Sequence, residues 1–282
     1  FTPYFAQWLH DIGQPAFAIS LMLATWYGTR VFAPTLWSSF TGRARHPVRW
    51  LQAGAGLTLL GFAGFVLARE FLALFAVMLV FSFFCNAIMP QFEAITLDTL
   101  GARRADYGRI RVWGSVGFIT ITLLFGWMIE AHGSSPLPLA MLPLFLAALA
   151  SAFATRPPPP VDHGDDPSAA GIRTALRRVG VKRFLGVALL MQIGFGPFYV
   201  FYTLHLGAAG HGADTIGLLW ALGVLAEIGL FLLAPRLLRR WPPQRLALVC
   251  LAAAVLRWTV TALLPTSLPT MFAMQLLHAL SF

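Results

Sequence analysis

Residues 214–236 read DTIGLLWALGVLAEIGLFLLAPR, and between Asp214 and Arg236 the sole charge is Glu227. A run of about 20 apolar residues is what a helix needs to cross the hydrocarbon core of a bilayer, at about 1.5 Å of rise per residue. Arg30, Glu93 and Arg257 sit in the same way inside other apolar runs. Each such charge costs about 2.5–3.5 kcal/mol at the bilayer centre on insertion scales. Four of them would cost on the order of 10–14 kcal/mol, as much as the net stability of a typical domain. A chain carries that load when the charges pair, face water or bind something. The pattern reads as a polytopic transporter.

Composition agrees. The chain is 58% hydrophobic and 11% charged, against about 25% charged for a soluble domain. Spanning candidates are 15–38, 50–68, 71–99, 110–130, 137–155, 184–206, 214–236 and 246–265, with partial runs at 1–9 and 269–282. The fold class is therefore all-α and membrane-embedded. Both termini fall inside apolar runs, so we expect a longer protein, and no transport by residues 1–282 alone. Cys85 and Cys250 lie in apolar runs and read as free thiols.

The formal charge of +9 would suggest nucleic acid in a soluble protein, but its distribution points elsewhere. All the Lys and Arg residues except Arg30, Arg69 and Arg257 fall in one set of alternating loops, near 43–49, 103–111, 156–183 and 236–245. The positive-inside rule makes that side cytoplasmic. The basic balance is a topology signal, and no nucleic-acid partner is expected. Partners are instead a small-molecule substrate, protons and the lipid bilayer, and the protein reads as a monomer.

The segment 156–183 opens with RPPPPVDHGDDPSAAG and can form neither a span nor a core. It reads as a cytoplasmic linker, either a plain connector or a regulated one. It divides an N-terminal six-helix half, 1–155, from a C-terminal half, 184–282. Weak repetition supports the division. Pro3-Tyr4-Phe5 with Trp8 returns as Pro197-Phe198-Tyr199 with Tyr202, and the lone charges Arg30 and Glu227 are each followed by Ala-Pro and a basic loop.

Measured from the nearest cytoplasmic arginine, Arg30, Glu93, Glu227 and Arg257 lie roughly 13–20 Å deep, close to mid-membrane. His278 lies roughly 14 Å from the opposite face. Transporters hold substrate and ion sites at this level. Glu227 and Arg257 are on consecutive helices, so an ion pair is possible, either structural or broken and remade as substrate and proton bind. Glu93 has two candidate partners, Arg30 and Arg111. His278 reads as a hydrogen-bonded core residue or a proton carrier. Tyr4, Trp8, Tyr199 and Tyr202 suit interfacial anchoring or ligand stacking, and an unpaired Arg30 beside aromatic rings would suit an aromatic carboxylate. No metal-ligand spacing stands out, and no cofactor is expected beyond a proton gradient. In the segment Asp106 to Gly117, Asp106 can cap a helix and Gly114 and Gly117 can permit close helix approach. Arg109, Arg111 and Trp113 complete a packing or gating motif.

Those residues also carry a family resemblance. DYGRIRVWGSVGFI (106–119) resembles the fifth-helix signature of phenylpropionate-permease-like members of the major facilitator superfamily. Pro3 to Gly13, Arg30, Leu222 to Glu227, Leu256-Arg257-Trp258 and Gln275 to His278 resemble their first, second, eighth, ninth and tenth helices. The resemblance implies a twelve-helix fold, about eight of them complete here and two partial. It implies uptake of an aromatic acid by proton symport across a bacterial-type inner membrane. Lactose-permease-like members are more distantly similar through Glu227, Arg257 and His278. There the glutamate contacts sugar and the other two belong to the coupling network, with a carboxylate three residues after the histidine. Here that place holds Ser281, leaving Glu227 or Glu93 to carry the proton. The loop between the second and third helices keeps Gly42, Arg43 and Arg45 without the expected aspartate. Rival readings are a sugar or nucleoside symporter and, from another class, a membrane sensor or scaffold. No paired catalytic carboxylates or Ser-His dyad suggests an enzyme.

Overall fold

The computed structural model describes residues 2–41, 46–156 and 177–281. Within these the order is α1 (Thr2–Asp11), α2 (Ala16–Thr41), α3 (Pro47–Leu67), α4 (Phe71–Leu100), a 3-10 turn (Gly101–Asp106), α5 (Tyr107–His132) and α6 (Leu137–Ala154). Then follow α7 (Val179–Ala208), α8 (Ala213–Arg240), α9 (Pro243–Leu263), α10 (Leu268–Leu276) and α11 (His278–Ser281). No strand occurs among the described residues. Hydrocarbon offers the backbone no hydrogen-bond partner, so a spanning segment satisfies its own amides by forming a helix. Seven of the helices are long and apolar enough to cross a membrane: α2 to α6, α8 and α9. The 184–206 candidate is α7, several of whose side chains lie outside the described residues, as does most of the 156–183 linker.

Sequence punctuation fixes the helix ends. Proline stands in the first turn of α3, α6, α9 and α10, where its missing N–H removes no helical bond. The tight turns at Gly13, Gly133 and Gly210 have φ of 88°, 75° and 93°, a region open to glycine at no steric cost. Large apolar side chains such as Leu67, Val31 and Trp113 point outward, as lipid solvation allows.

The described residues form two compact units. One runs from Gln7 to Trp113 and from His132 through α6; the other holds Thr2–Ala6, Gly114–Ala131 and everything from α7 onward. In the first, α4 packs against α2 and α3, and α3 against α6. A cluster of Phe62, Phe65, Phe81 and Phe145 fills its centre, with Phe62 and Phe145 centroids 4.4 Å apart. The close approach of α3 to α4 depends on Gly61 and Gly64, where an added Cβ would stand 3.1 Å from the Phe81 backbone and 2.6 Å from Val77. In the second unit α8 contacts α7, α10 and α11, and α9 contacts α10 and α11. That packing sets the candidate site.

Candidate functional site

One face of α8 presents Leu219, Gly223 and Glu227, four residues apart and so stacked along one stripe. Gln275 and His278 come to this stripe from the α10–α11 junction. There the helix tightens at Leu277, whose N–H turns to the Gln275 carbonyl. His278 Nε2 is 2.7 Å from Glu227 Oε1, and both side chains are largely buried. Gln275 Nε2 donates to the Leu219 carbonyl at 2.9 Å, and its Oε1 accepts from Arg257 Nη2 at 2.8 Å. Gly223 makes the room: a Cβ there would lie 3.0 Å from His278 Cδ2 and 3.3 Å from Gln275 Nε2.

Arg257 enters from α9 and is 1% exposed. Its guanidinium lies 4.4 Å from the Phe198 ring centroid and 4.5 Å from that of Trp258, within cation–π range. Phe198 also packs at 5.0 Å against the His278 ring and at 4.5 Å against Trp220. The close contact of Glu227 is thus with His278, where spacing alone pointed to Arg257, because His278 comes to the same stripe of α8 and Gln275 engages the guanidinium. Removing one partner of a buried hydrogen bond leaves the other unsatisfied, at a cost of about 1–3 kcal/mol and more where that group is charged. A carboxylate and an imidazole in contact can share, give up or accept one proton, and the aromatic wall limits water around them.

In the first unit, Glu93 on α4 meets Arg111 on α5, with N–O at 3.6 Å and both side chains substantially exposed. That decides between the two partners left open by the sequence. Tyr107, at the start of α5, stands near the same carboxylate. Arg30 is exposed on α2 with Tyr27 at 6.0 Å. Asp106 ends the 3-10 turn before α5, Trp113 is exposed, and the Arg109 side chain lies outside the described residues. Gly114 and Gly117 have nothing within 4 Å of where a Cβ would be, so the close approach expected there is not made.

It is made further along α5. At Gly126 and Gly217 an added Cβ would come within 2.6 Å and 2.5 Å of the Tyr4 hydroxyl oxygen. That hydroxyl donates toward the carbonyls of Thr122 and Ala213, at 3.1 Å and 3.2 Å, joining α1, α5 and α8. Nearby, Thr203 bonds to the Pro3 carbonyl and accepts from Trp220 Nε1. Glu130 Oε2 accepts from the Ala213 N–H at 2.6 Å, where the positive end of α8 favours a carboxylate. This clamp stands at the arginine-poor end of the helices. Tyr4 and Trp8 are therefore inside the packing, Trp8 edge-on to Phe65. Tyr202 is buried too, while Tyr199 keeps partial exposure. Sequence reading gave no site role to Gln275, Trp220 or Trp258. The glutamine's spacing of three from His278 was the available signal.

A family model described as the MFS_1 like family matches residues 1–282. The chain belongs to that family. An Escherichia coli (strain K12) relative named "Probable 3-phenylpropionic acid transporter" is 29% identical over 285 residues, covering all of this chain and 74% of that protein. The maltose permease of Geobacillus stearothermophilus is 26% identical over 234 residues, covering 82% of this chain and 58% of that one. Among solved structures, the nucleoside transporter NupG and a mutant of it superimpose with TM-scores of 0.84 and 0.82 at 15% identity. Each is covered to 75% by the whole of this chain, a likeness of fold. The family member described here is an all-α, multi-pass membrane transporter and not an enzyme.

Proposed function

We propose that the protein is a proton-coupled symporter for a small organic acid, with an aromatic carboxylate such as a phenylpropionate as the leading substrate. The observation that carries this reading is the buried Glu227–His278 contact at 2.7 Å, beside the ring-covered guanidinium of Arg257. Glu227 takes the proton, with His278 as its immediate partner. Arg30, exposed on α2, receives the substrate carboxylate. Protonation biases a rocking of the halves 1–155 and 184–282, joined by the linker 156–183. The arginine-rich loops face the cytoplasm of a bacterial-type inner membrane, and the monomer is the working unit. The name of the Escherichia coli relative supports the substrate class.

The test is substrate-induced alkalinisation outside cells expressing the gene, with aromatic acids, sugars and nucleosides offered separately. Alkalinisation with aromatic acids, lost when the proton gradient is collapsed, is the expected result. Glu227→Gln should then abolish accumulation while counterflow persists; intact accumulation removes Glu227 from the mechanism. A second reading, sugar symport, is favoured by the maltose permease relative and would give its signal with sugars.

A further inference from the structure

We propose that Gln275 is a positioning residue that holds Arg257 away from Glu227, so that the carboxylate remains paired with His278. The inference rests on the coupling role given above to Glu227. An arginine and a glutamate on neighbouring helices at one depth, in a poorly hydrated interior, attract strongly, and the pair they would form leaves little reason for Glu227 to bind a proton. The arrangement found is different. The Gln275 amide uses both of its ends: the oxygen receives Arg257 Nη2 at 2.8 Å, and the nitrogen is anchored on the Leu219 carbonyl at 2.9 Å.

The anchor matters because it is main chain. Leu219 stands two helical turns from Glu227 on the same stripe of α8, so the amide that receives the guanidinium is anchored on a residue well apart from the one that carries the carboxylate. Gly223, between them, leaves space for both Gln275 and His278. Gln275 is 1% exposed, and its amide is neutral, so it fixes a cation without supplying a counter-charge. Phe198 and Trp258 lie side by side within cation–π range of the guanidinium and stabilise it there. Among the described residues, the charged and titratable groups around the site are Glu227 on α8, Arg257 on α9, His278 on α11, and Tyr199 and Tyr202 on α7. Gln275 sits at the contact that determines which of them meet.

The experiment is a double-mutant cycle on substrate exchange in membrane vesicles, with the amount of protein in the membrane measured for each variant. In the Glu227 background, Gln275→Leu frees Arg257 to seize the carboxylate and slows exchange by about tenfold, equivalent to about 1.4 kcal/mol. In the Glu227→Gln background the same leucine has nothing to release onto, and its effect shrinks to less than about twofold. Gln275→Glu still accepts from Arg257 but cannot donate to the Leu219 carbonyl, so it recovers exchange only in part relative to Gln275→Leu. Equal losses from leucine in both backgrounds, or no recovery with glutamate, would overturn the proposal and leave Gln275 as packing. Failure of the coupling reading registers separately, as undiminished accumulation by Glu227→Gln alone.

Discussion

Substituting Gly126 by alanine should force apart the arginine-poor ends of α5 and α8. The new Cβ would stand 2.6 Å from the Tyr4 hydroxyl oxygen and 2.8 Å from the Ala213 carbonyl oxygen. Close carbon–oxygen contacts in proteins are about 3.3–3.6 Å, so the overlap is roughly 0.5–1 Å. Tyr4 is buried and Ala213 contributes main chain, so neither gives way without moving a helix. Overpacking of this kind costs about 1–3 kcal/mol. Loss of the hydroxyl's hydrogen bond adds about 0.5–1.5 kcal/mol. Because the clamp belongs to the conformer in which these ends meet, 1–3 kcal/mol shifts the population roughly 5- to 150-fold toward conformers in which they do not. Pulsed electron paramagnetic resonance between spin labels at Ala131 on α5 and the exposed Leu218 on α8, with Cys85 and Cys250 replaced by serine, reads the separation directly. Gly126→Ala should move the distance distribution outward. Tyr4→Phe should move it less, and the double variant should fall at or below Gly126→Ala because the hydroxyl clash is gone while the Ala213 clash remains. An unchanged distribution in well-folded Gly126→Ala refutes the argument that this glycine is required by close approach.

Other positions give sharper or blander outcomes. Gly64→Leu drives a side chain into Val77, 2.6 Å from the Cβ position, and should lower the thermal stability of purified protein by several degrees, read by aggregation on heating. His278→Phe removes the Glu227 partner within the α8–α11 contact and should destabilise by about 1–3 kcal/mol and abolish accumulation, read by membrane abundance and uptake together. Arg111→Gln breaks only an exposed pair at 3.6 Å and should change stability by no more than about 1 kcal/mol; a loss of transport at normal abundance would assign the 106–117 segment a gating role.

The fold was legible because lipid sets a strict length for each span and glycine and proline mark the turns between them. The grouping of Glu227, Arg257 and His278 was legible because polar groups in apolar runs are few, and each of them costs free energy unless it finds a partner. Partner choice was less so. Glu227 and Arg257 share a depth, but rise says nothing about azimuth, and the face toward His278 is fixed by how α10 and α11 pack on α8. Gln275 is neutral and carried no cost that would draw attention to it. Gly114 and Gly117 illustrate the reverse error: in a helix apolar all round, spacing alone cannot say which glycines meet a neighbour, and here Gly126 does.

The Tyr4 clamp has a consequence for how this protein can change. Its hydroxyl holds two main-chain oxygens, so the identities of residues 122 and 213 are not recorded in the bond. Paired substitutions across sequences would therefore not reveal it, since any residue supplies a carbonyl. Selection on its strength can act only through one phenol and the missing methyl groups of Gly126 and Gly217. A change as small as one methyl group at either glycine is thus a direct route to retuning the balance between conformers without touching the charged site.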